Sequence, residues 1–234
     1  MWGAWADHWL ARFYSRHGLR REPPQVPSCL AAHRGEKRFL HVGCGHSRKQ
    51  QTVPGFQSDA WQEIRLDANA DVQPDIVASM TDMSVVPDGS MDAVFSSHTI
   101  EHLYRDQADV ALAEFHRVLN DHGFLVITCP DLQSVAALIA DDHLEEAAYV
   151  SASGAVTPLD IVYGMQSLLV GPEYFMAHRC GFTLRTLIGA VRKAGFSDCY
   201  GIRRPDQLDL WLLAHKQAQS QDALQRLAHD FIPA

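Results

Sequence analysis

Three short stretches carry side chains whose types and spacing could do chemistry. Residues 98–102 read HTIEH. By letters alone this is the H-x-x-E-H signature of the inverted zinc metalloproteases. Such a site needs both imidazoles on one helix face, with the glutamate beside a metal-bound water. The second stretch, FLHVGCGHS at 39–47, sets Gly43, Cys44 and Gly45 in a Gly-x-Gly turn, followed by His46. Glycines let the backbone approach a ligand closely. Asp67 lies 22 residues beyond Gly45. An acid at that distance accepts hydrogen bonds from ribose hydroxyls in nucleotide-binding sheets. A dinucleotide fingerprint would put a third glycine at position 48, where this chain has Arg48. The third stretch, GPEYFMAHRCGFT at 171–183, presents His178 and Arg179. Arg179 suits a carboxylate or phosphate.

The elements that must position these residues decide between the readings. Short apolar runs at 38–42, 62–67, 75–78, 92–97 and 124–128 read as strands. The run FLVIT at 124–128 is continuous, as expected of a strand buried on both faces. Helices fit about 100–119, where Ala111, Phe115, Val118 and Leu119 share one side, and 183–194, ended by Gly195. DHG at 121–123 breaks the first of these, and 217–231 reads as a terminal helix. The region 131–170 reads as mostly helical, interrupted near 151–158. Strands at 196–203 and 208–214 are separated by only a few residues. That is too little chain for a crossover, so this pair must be an antiparallel hairpin. Strands alternating with helices imply a doubly wound, mostly parallel sheet. The expected fold is α/β and Rossmann-like, with seven strands, a C-terminal antiparallel hairpin and helices on both faces. Expected boundaries are an N-terminal helix and proline-rich connector at 1–36, a main domain at 37–216 with a helical insertion at about 131–182, and a C-terminal helix at 217–234.

In that frame HTIEH changes meaning. His98 directly follows the strand DAVFSS and sits at a strand-to-helix junction, so the i, i+4 helical geometry of a zinc site is lost. No third ligand stands out in the sequence, and no metal is expected. Glu101 and His102 read as a helix start, where an acid suits the helix dipole. His98 reads as a pocket-lining residue and the candidate general base. A zinc hydrolase using His98 and His102 is the least favoured alternative.

Composition narrows the field further. The chain has 234 residues, 47% hydrophobic and 21% charged, with a net charge of −8. This argues against a general nucleic-acid binder, which normally shows a basic footprint. No run approaches the length of a membrane span. Five dispersed cysteines without a C-x-x-C pair point to a reducing cytoplasm rather than a disulfide scaffold. Trp2, Trp5, Trp9, Leu10, Phe13 and Tyr14 follow helical spacing in residues 2–17. They suit core packing, a cover over the cofactor, or a homodimer contact.

The ordered strings LHVGCG, RLDA, DIVASMTDMSVVPDGSMDAVFSSHTIEHL, AEFHRVLNDHGFLVITCPDL and KAGF resemble the class I S-adenosylmethionine-dependent methyltransferases. More narrowly, they resemble small bacterial proteins whose fourth strand runs into S-x-H-x-x-E-H-L. The resemblance spans about 37–215. It implies S-adenosylmethionine as cofactor, with Gly43, Cys44, Gly45 and His46 around its methionine part and Asp67 on its ribose. Met80, Thr81 and Asp82 would pack on the adenine, and Ser97 and His98 would face the sulfonium. The family usually has an acid two residues before the first glycine, and His41 fills that place. The implied activity is methyl transfer to a small-molecule or sugar-like acceptor. His98 and His178 are the catalytic candidates, and Tyr163, His178 and Arg179 the acceptor contacts. The alternative is a non-catalytic protein of the same fold that acts through a partner.

Overall fold

A computed structural model describes residues 27–31, 35–151, 154–170 and 174–233. The helix expected at 2–17 and most of the connector at 21–28 lie outside the described residues.

Seven strands form one sheet: β1 (Lys37–Val42), β2 (Trp61–Asp67), β3 (Ile76–Val77), β4 (Met91–Ser97), β5 (Leu119–Pro130), and the later β8 (Asp198–Arg204) and β9 (Asp209–His215). Their spatial order is β3-β2-β1-β4-β5-β9-β8. The first five run parallel, and β9 pairs antiparallel with both β5 and β8. The C-terminal hairpin expected from its short linker is present. The chain winds to one side of β1 through β2 and β3, then returns to build the other side from β4. Doubly wound sheets bind ligands at this reversal, outside the carboxyl ends of the strands.

Alternation along the strands sorts the core into two layers. One face carries Leu40, Val42, Ile64, Leu66 and Ile127. It is covered by α1 (Ser28–Ala31), α3 (Arg105–Val118) and α6 (Leu184–Lys193). The other face is aromatic, with Phe39, Trp61, Phe95 and Phe124. There α2 (Pro54–Gln57) and α7 (Gln221–Phe231) close the layer through Phe56, Leu224 and Phe231. Phe231 sits with its ring centroid 4.6 Å from that of Phe56 and 4.8 Å from that of Phe124.

Between β5 and α6 lies α4 (Leu132–Ala140), then a two-stranded hairpin of β6 (Tyr149–Ser151) and β7 (Gly154–Val156), then α5 (Pro158–Tyr163). This segment was expected to be mostly helical, and the interruption foreseen near 151–158 is instead part of a hairpin. Buried Asp131 starts α4, accepting from Gln133 N, Ser134 Oγ and Arg203 Nε. The expected strand at 124–128 is longer. The chain leaves α3 at Val118 and enters β5 at once, with an irregular register opposite Met91–Ala93. DHG ends the helix by becoming part of a strand. Among the described residues, no helix is long and apolar enough to cross a membrane.

Candidate functional site: a cofactor cradle joined to a histidine-lined cavity

The glycine turn leaves β1 at its carboxyl end. Gly43 has φ +65°, and a Cβ there would lie 2.2 Å from Thr99 Cγ2, so only glycine fits against the residue that follows the β4 junction. Gly45 has φ +51°, with no atom within 4 Å of where its Cβ would be. Its backbone faces open space. Gly45 N donates to Asp67 Oδ2 at 2.8 Å, and Asn69 N donates to Oδ1 at 2.8 Å. The carboxylate is thus fixed at the end of β2 with acceptor capacity left over for a ligand.

Arg65, only 2% exposed, holds this rim together. Its guanidinium donates to the carbonyls of Ser47 (3.1 Å), Gln73 (2.7 Å), Gly45 (2.5 Å) and Val72 (3.3 Å). One buried cation therefore joins the glycine turn to the turn at 70–73. Nothing in the strand pattern marks this role, since Arg65 reads as an ordinary strand residue.

These parts enclose a cavity of about 430 Å³. Its walls include Gly43, Gly45, His46, Asp67, Met80 and His98, together with Asn69, Val72, Ala78, Ser79 and Thr99, and also Arg179, which the sequence placed among the acceptor contacts. The arrangement fits S-adenosylmethionine. An open backbone would face the methionine end, the oriented carboxylate would meet the ribose, and small and apolar side chains between Ala68 and Met80 would offer the adenine a slot.

Several expected contacts are not made. His41 lies on the aromatic face of the sheet, 3% exposed, and its Nδ1 pairs with Glu63 Oε1 at 2.7 Å. Strand alternation puts it beside Phe39 and Phe95, away from the cavity. Cys44 is buried behind the turn, and burial pushes its thiol up to about 11. Thr81 and Asp82 belong to a tight turn closed by a bridge between Ser79 and Asp82, and neither lines the cavity. Ser97 and Tyr163 border neither this cavity nor the one beside it, and Tyr163 is exposed. Burial also raises the thiols of Cys129 and Cys180, so neither is an activated nucleophile.

The string HTIEH is not a helix. His98 has φ +50°, in the left-handed region that non-glycine residues rarely occupy. Its N–H donates to Thr128 O at 2.9 Å, which pins the kink to β5. Residues Ile100–His102 form one 3₁₀ turn, and α3 starts only at Arg105. The kink turns His98 into the space between the first cavity and a second one of about 260 Å³. The second is lined by Glu101, His178, Tyr149, Asp160, Ile161 and Leu208, among others. His98, His102 and Met176 border both.

Glu101, read from the sequence as a helix-start residue, is 1% exposed. Its Oε1 lies 3.4 Å from His98 Nδ1. Burial works against the charge on Glu101, whereas the His98 side chain is about half exposed to the cavities, and each favours the charged form of the other. The result is a His98 held above the usual imidazole range and a Glu101 held below the usual carboxylate range, the latter helped by His102 and His178. His102 is pushed down by burial and by the neighbouring His178 and Arg179, against the pull of Glu101. Arg179 reaches back to His102 O at 2.6 Å and stacks over the Tyr104 ring.

Residues 40–127 match the family model described as "Methyltransferase domain". No curated protein is significantly similar in sequence. Among solved structures, a S-adenosylmethionine-dependent methyltransferase from Archaeoglobus fulgidus is 17% identical with a TM-score of 0.50, over 88% of this chain and 99% of that one. A S-adenosylmethionine-dependent methyltransferase from Thermotoga maritima is also 17% identical, with a TM-score of 0.49 over 90% of this chain and 96% of that one. A methyltransferase from Burkholderia thailandensis, with 1,6-didemethyltoxoflavin and S-adenosylhomocysteine bound, is 15% identical with a TM-score of 0.48, over 91% of this chain and 87% of that one. The match of residues 40–127 to a methyltransferase-domain model, the strand order with its C-terminal hairpin, and the glycine turn facing Asp67 make this chain similar in fold to the S-adenosylmethionine-dependent methyltransferases.

Proposed function

We propose that the enzyme methylates a small, polar, hydroxyl-bearing or sugar-like acceptor bound in the second cavity. The observation that carries this reading is the shared wall. Two cavities of suitable size meet at His98, His102 and Met176, so a cofactor in one presents its sulfonium end to a molecule in the other. The cofactor supplies an electrophilic methyl group. Transfer is an in-line displacement, so alignment of the two molecules supplies much of the catalysis. Gly43, Gly45 and Asp67 hold the cofactor side. His98 stands between the cavities, where it orients the acceptor and takes its proton if attack requires that. Tyr149, Asp160, His178 and Gln207 give the second cavity polar groups at several points around an apolar floor of Ile161 and Leu208. That mixture suits a hydroxylated small molecule. Arg179 borders the cofactor side instead, and Tyr163 is not used.

One observation favours a second reading, a cofactor-binding protein that acts through a partner. The acid usual before the glycine turn is replaced by His41, and no other acid takes its place on the cavity wall besides Asp67. Titration calorimetry with S-adenosylmethionine and S-adenosylhomocysteine, followed by a panel of hydroxylated acceptors with S-adenosylhomocysteine release as readout, separates the two. Turnover supports the first reading; tight binding without turnover supports the second. Absence of binding at millimolar cofactor would sink both. The described cysteines are all free thiols, which suits the reducing cytoplasm we assign. The main-domain boundaries at 37 and 216 are also our assignment. A homodimer would use residues 2–17, outside the described residues.

A further inference from the structure

We propose that Glu101, His102 and His178 form a binding site for one divalent transition-metal ion of the zinc type, and that an oxygen of the methyl acceptor completes its coordination. The ligand atoms of these three side chains all lie within 4.8 Å of one another, close enough for one ion after small side-chain adjustments. Among the described residues, no other group of His, Cys, Asp and Glu side chains meets this condition.

The second observation is Glu101 itself. Its side chain is 2% exposed, yet neither carboxylate oxygen has a hydrogen-bond donor. His98 Nδ1 pairs electrostatically with Oε1 at 3.4 Å but is not aligned to donate a hydrogen bond, and Oε2 has no donor at all. A buried carboxylate whose oxygens lack hydrogen-bond donors is destabilised by the water it has lost. Buried charges are normally paired or coordinate a metal. The neighbours that face this carboxylate are imidazoles, which are metal ligands in their own right.

The third observation fixes the imidazoles. His178 Nδ1 lies 2.7 Å from Ile161 O, and His102 Nδ1 lies 3.4 Å from Ala177 O. A carbonyl only accepts, so each Nδ1 carries the proton and each Nε2 keeps a free lone pair. Metal-bound histidines are usually oriented in this way, through the ring nitrogen that does not touch the metal. The two ring centroids are 4.9 Å apart with the rings edge-on at 65° rather than stacked.

Two imidazoles and one carboxylate favour zinc, iron or cobalt over magnesium or calcium, which prefer all-oxygen shells. Three protein ligands leave a coordination position open, as in catalytic zinc sites. All three residues border the second cavity, so that position faces the space assigned to the acceptor. A hydroxyl bound there would be acidified and fixed beside the cofactor. This acceptor role rests on the methyl-transfer reading above; metal binding does not.

The test uses untagged full-length protein, stripped with chelator and free of cofactor. Calorimetry with Zn²⁺, visible absorption on adding Co²⁺, and Mg²⁺ as control are the readouts. The expected result is one equivalent of Zn²⁺, a Co²⁺ band for a site of low coordination number, and no Mg²⁺ binding. E101Q and H178A each weaken Zn²⁺ binding by about 100-fold or more, while S-adenosylhomocysteine affinity, titrated separately, stays near wild type. Where H178A fails to fold by circular dichroism, H178Q replaces it. No Zn²⁺ binding to the wild type, or equal binding to the wild type and both variants, would overturn the site. Loss of S-adenosylhomocysteine binding with Zn²⁺ binding intact would count against the methyl-transfer reading and leave the metal site standing.

Discussion

Replacing Arg65 by methionine isolates the buried cation that joins the glycine turn to the turn at 70–73. Methionine keeps much of the side-chain length and removes every donor. A hydrogen bond from a charged group is worth about 1.5–3 kcal/mol net. Three of the four carbonyl acceptors lie within 3.1 Å of the guanidinium, and the Val72 carbonyl is farther, at 3.3 Å. Two effects reduce the gross value. Gln73 is exposed, so water can reach its carbonyl, and the variant no longer buries a charge. The expected loss is therefore about 3 kcal/mol, a fall in Tm of about 10 °C for a chain of this size. The Gly45 and Ser47 carbonyls lose their anchor, so the turn no longer holds its backbone toward the cavity. S-adenosylhomocysteine affinity should fall at least about tenfold, although Arg65 does not line the cavity. Urea unfolding at unchanged m-value measures the first effect and calorimetry the second. A Tm within about 2 °C of wild type, together with unchanged affinity, would show that Arg65 is no staple.

Asp67→Ala removes the acceptor of two backbone N–H groups and the carboxylate we assign to the ribose. We expect S-adenosylhomocysteine affinity to drop by about 10- to 100-fold with a smaller change in stability, read by calorimetry and thermal melting. Phe231→Ala opens a cavity in the aromatic layer under α7 and should cost about 3–5 kcal/mol in urea unfolding; a loss under about 1 kcal/mol would mean that α7 is not part of that core. Glu114 is held below the usual carboxylate range by Arg117, against burial, with help from the Met83 N–H. A carboxylate lowered on folding stabilises the fold above its unfolded pKa and loses that contribution as pH falls through the folded one. Stability of the wild type should therefore fall more steeply below about pH 4 than that of Glu114→Gln, measured by denaturation at a series of pH values.

Much of the frame was legible because local rules decided it. The linker between β8 and β9 is too short for a crossover, so the hairpin followed from chain length alone. Gly43, Gly45 and Asp67 were legible because a strand end, a glycine turn and an acid at fixed spacing point to one kind of cradle. His41 was misplaced because the resemblance assigned it a position and ignored strand parity. Counting in twos along β1 puts it with Phe39, on the face opposite Leu40 and Val42. Thr81 and Asp82 were misassigned because the turn at 79–82 folds back more tightly than the string suggested. Glu101 and His178 were the hardest to read. Their meeting depends on a contact across 77 residues, on a one-turn 3₁₀ segment where a helix was expected, and on a left-handed kink at His98. None of these leaves a periodic signal in a single sequence.

The stretch that carries His178 reaches the site by main chain. Arg179 N and Cys180 N both donate to Glu101 O, His178 N donates to Tyr163 O, and Leu132 N donates to Phe182 O. Where this stretch lies is therefore set first by its backbone, with the His178 and Arg179 side chains adding bonds to Ile161 O and His102 O. The main-chain bonds keep position 178 in register with the 3₁₀ turn. A change of side chain in this stretch therefore alters what lines the cavities without rebuilding the path of the chain.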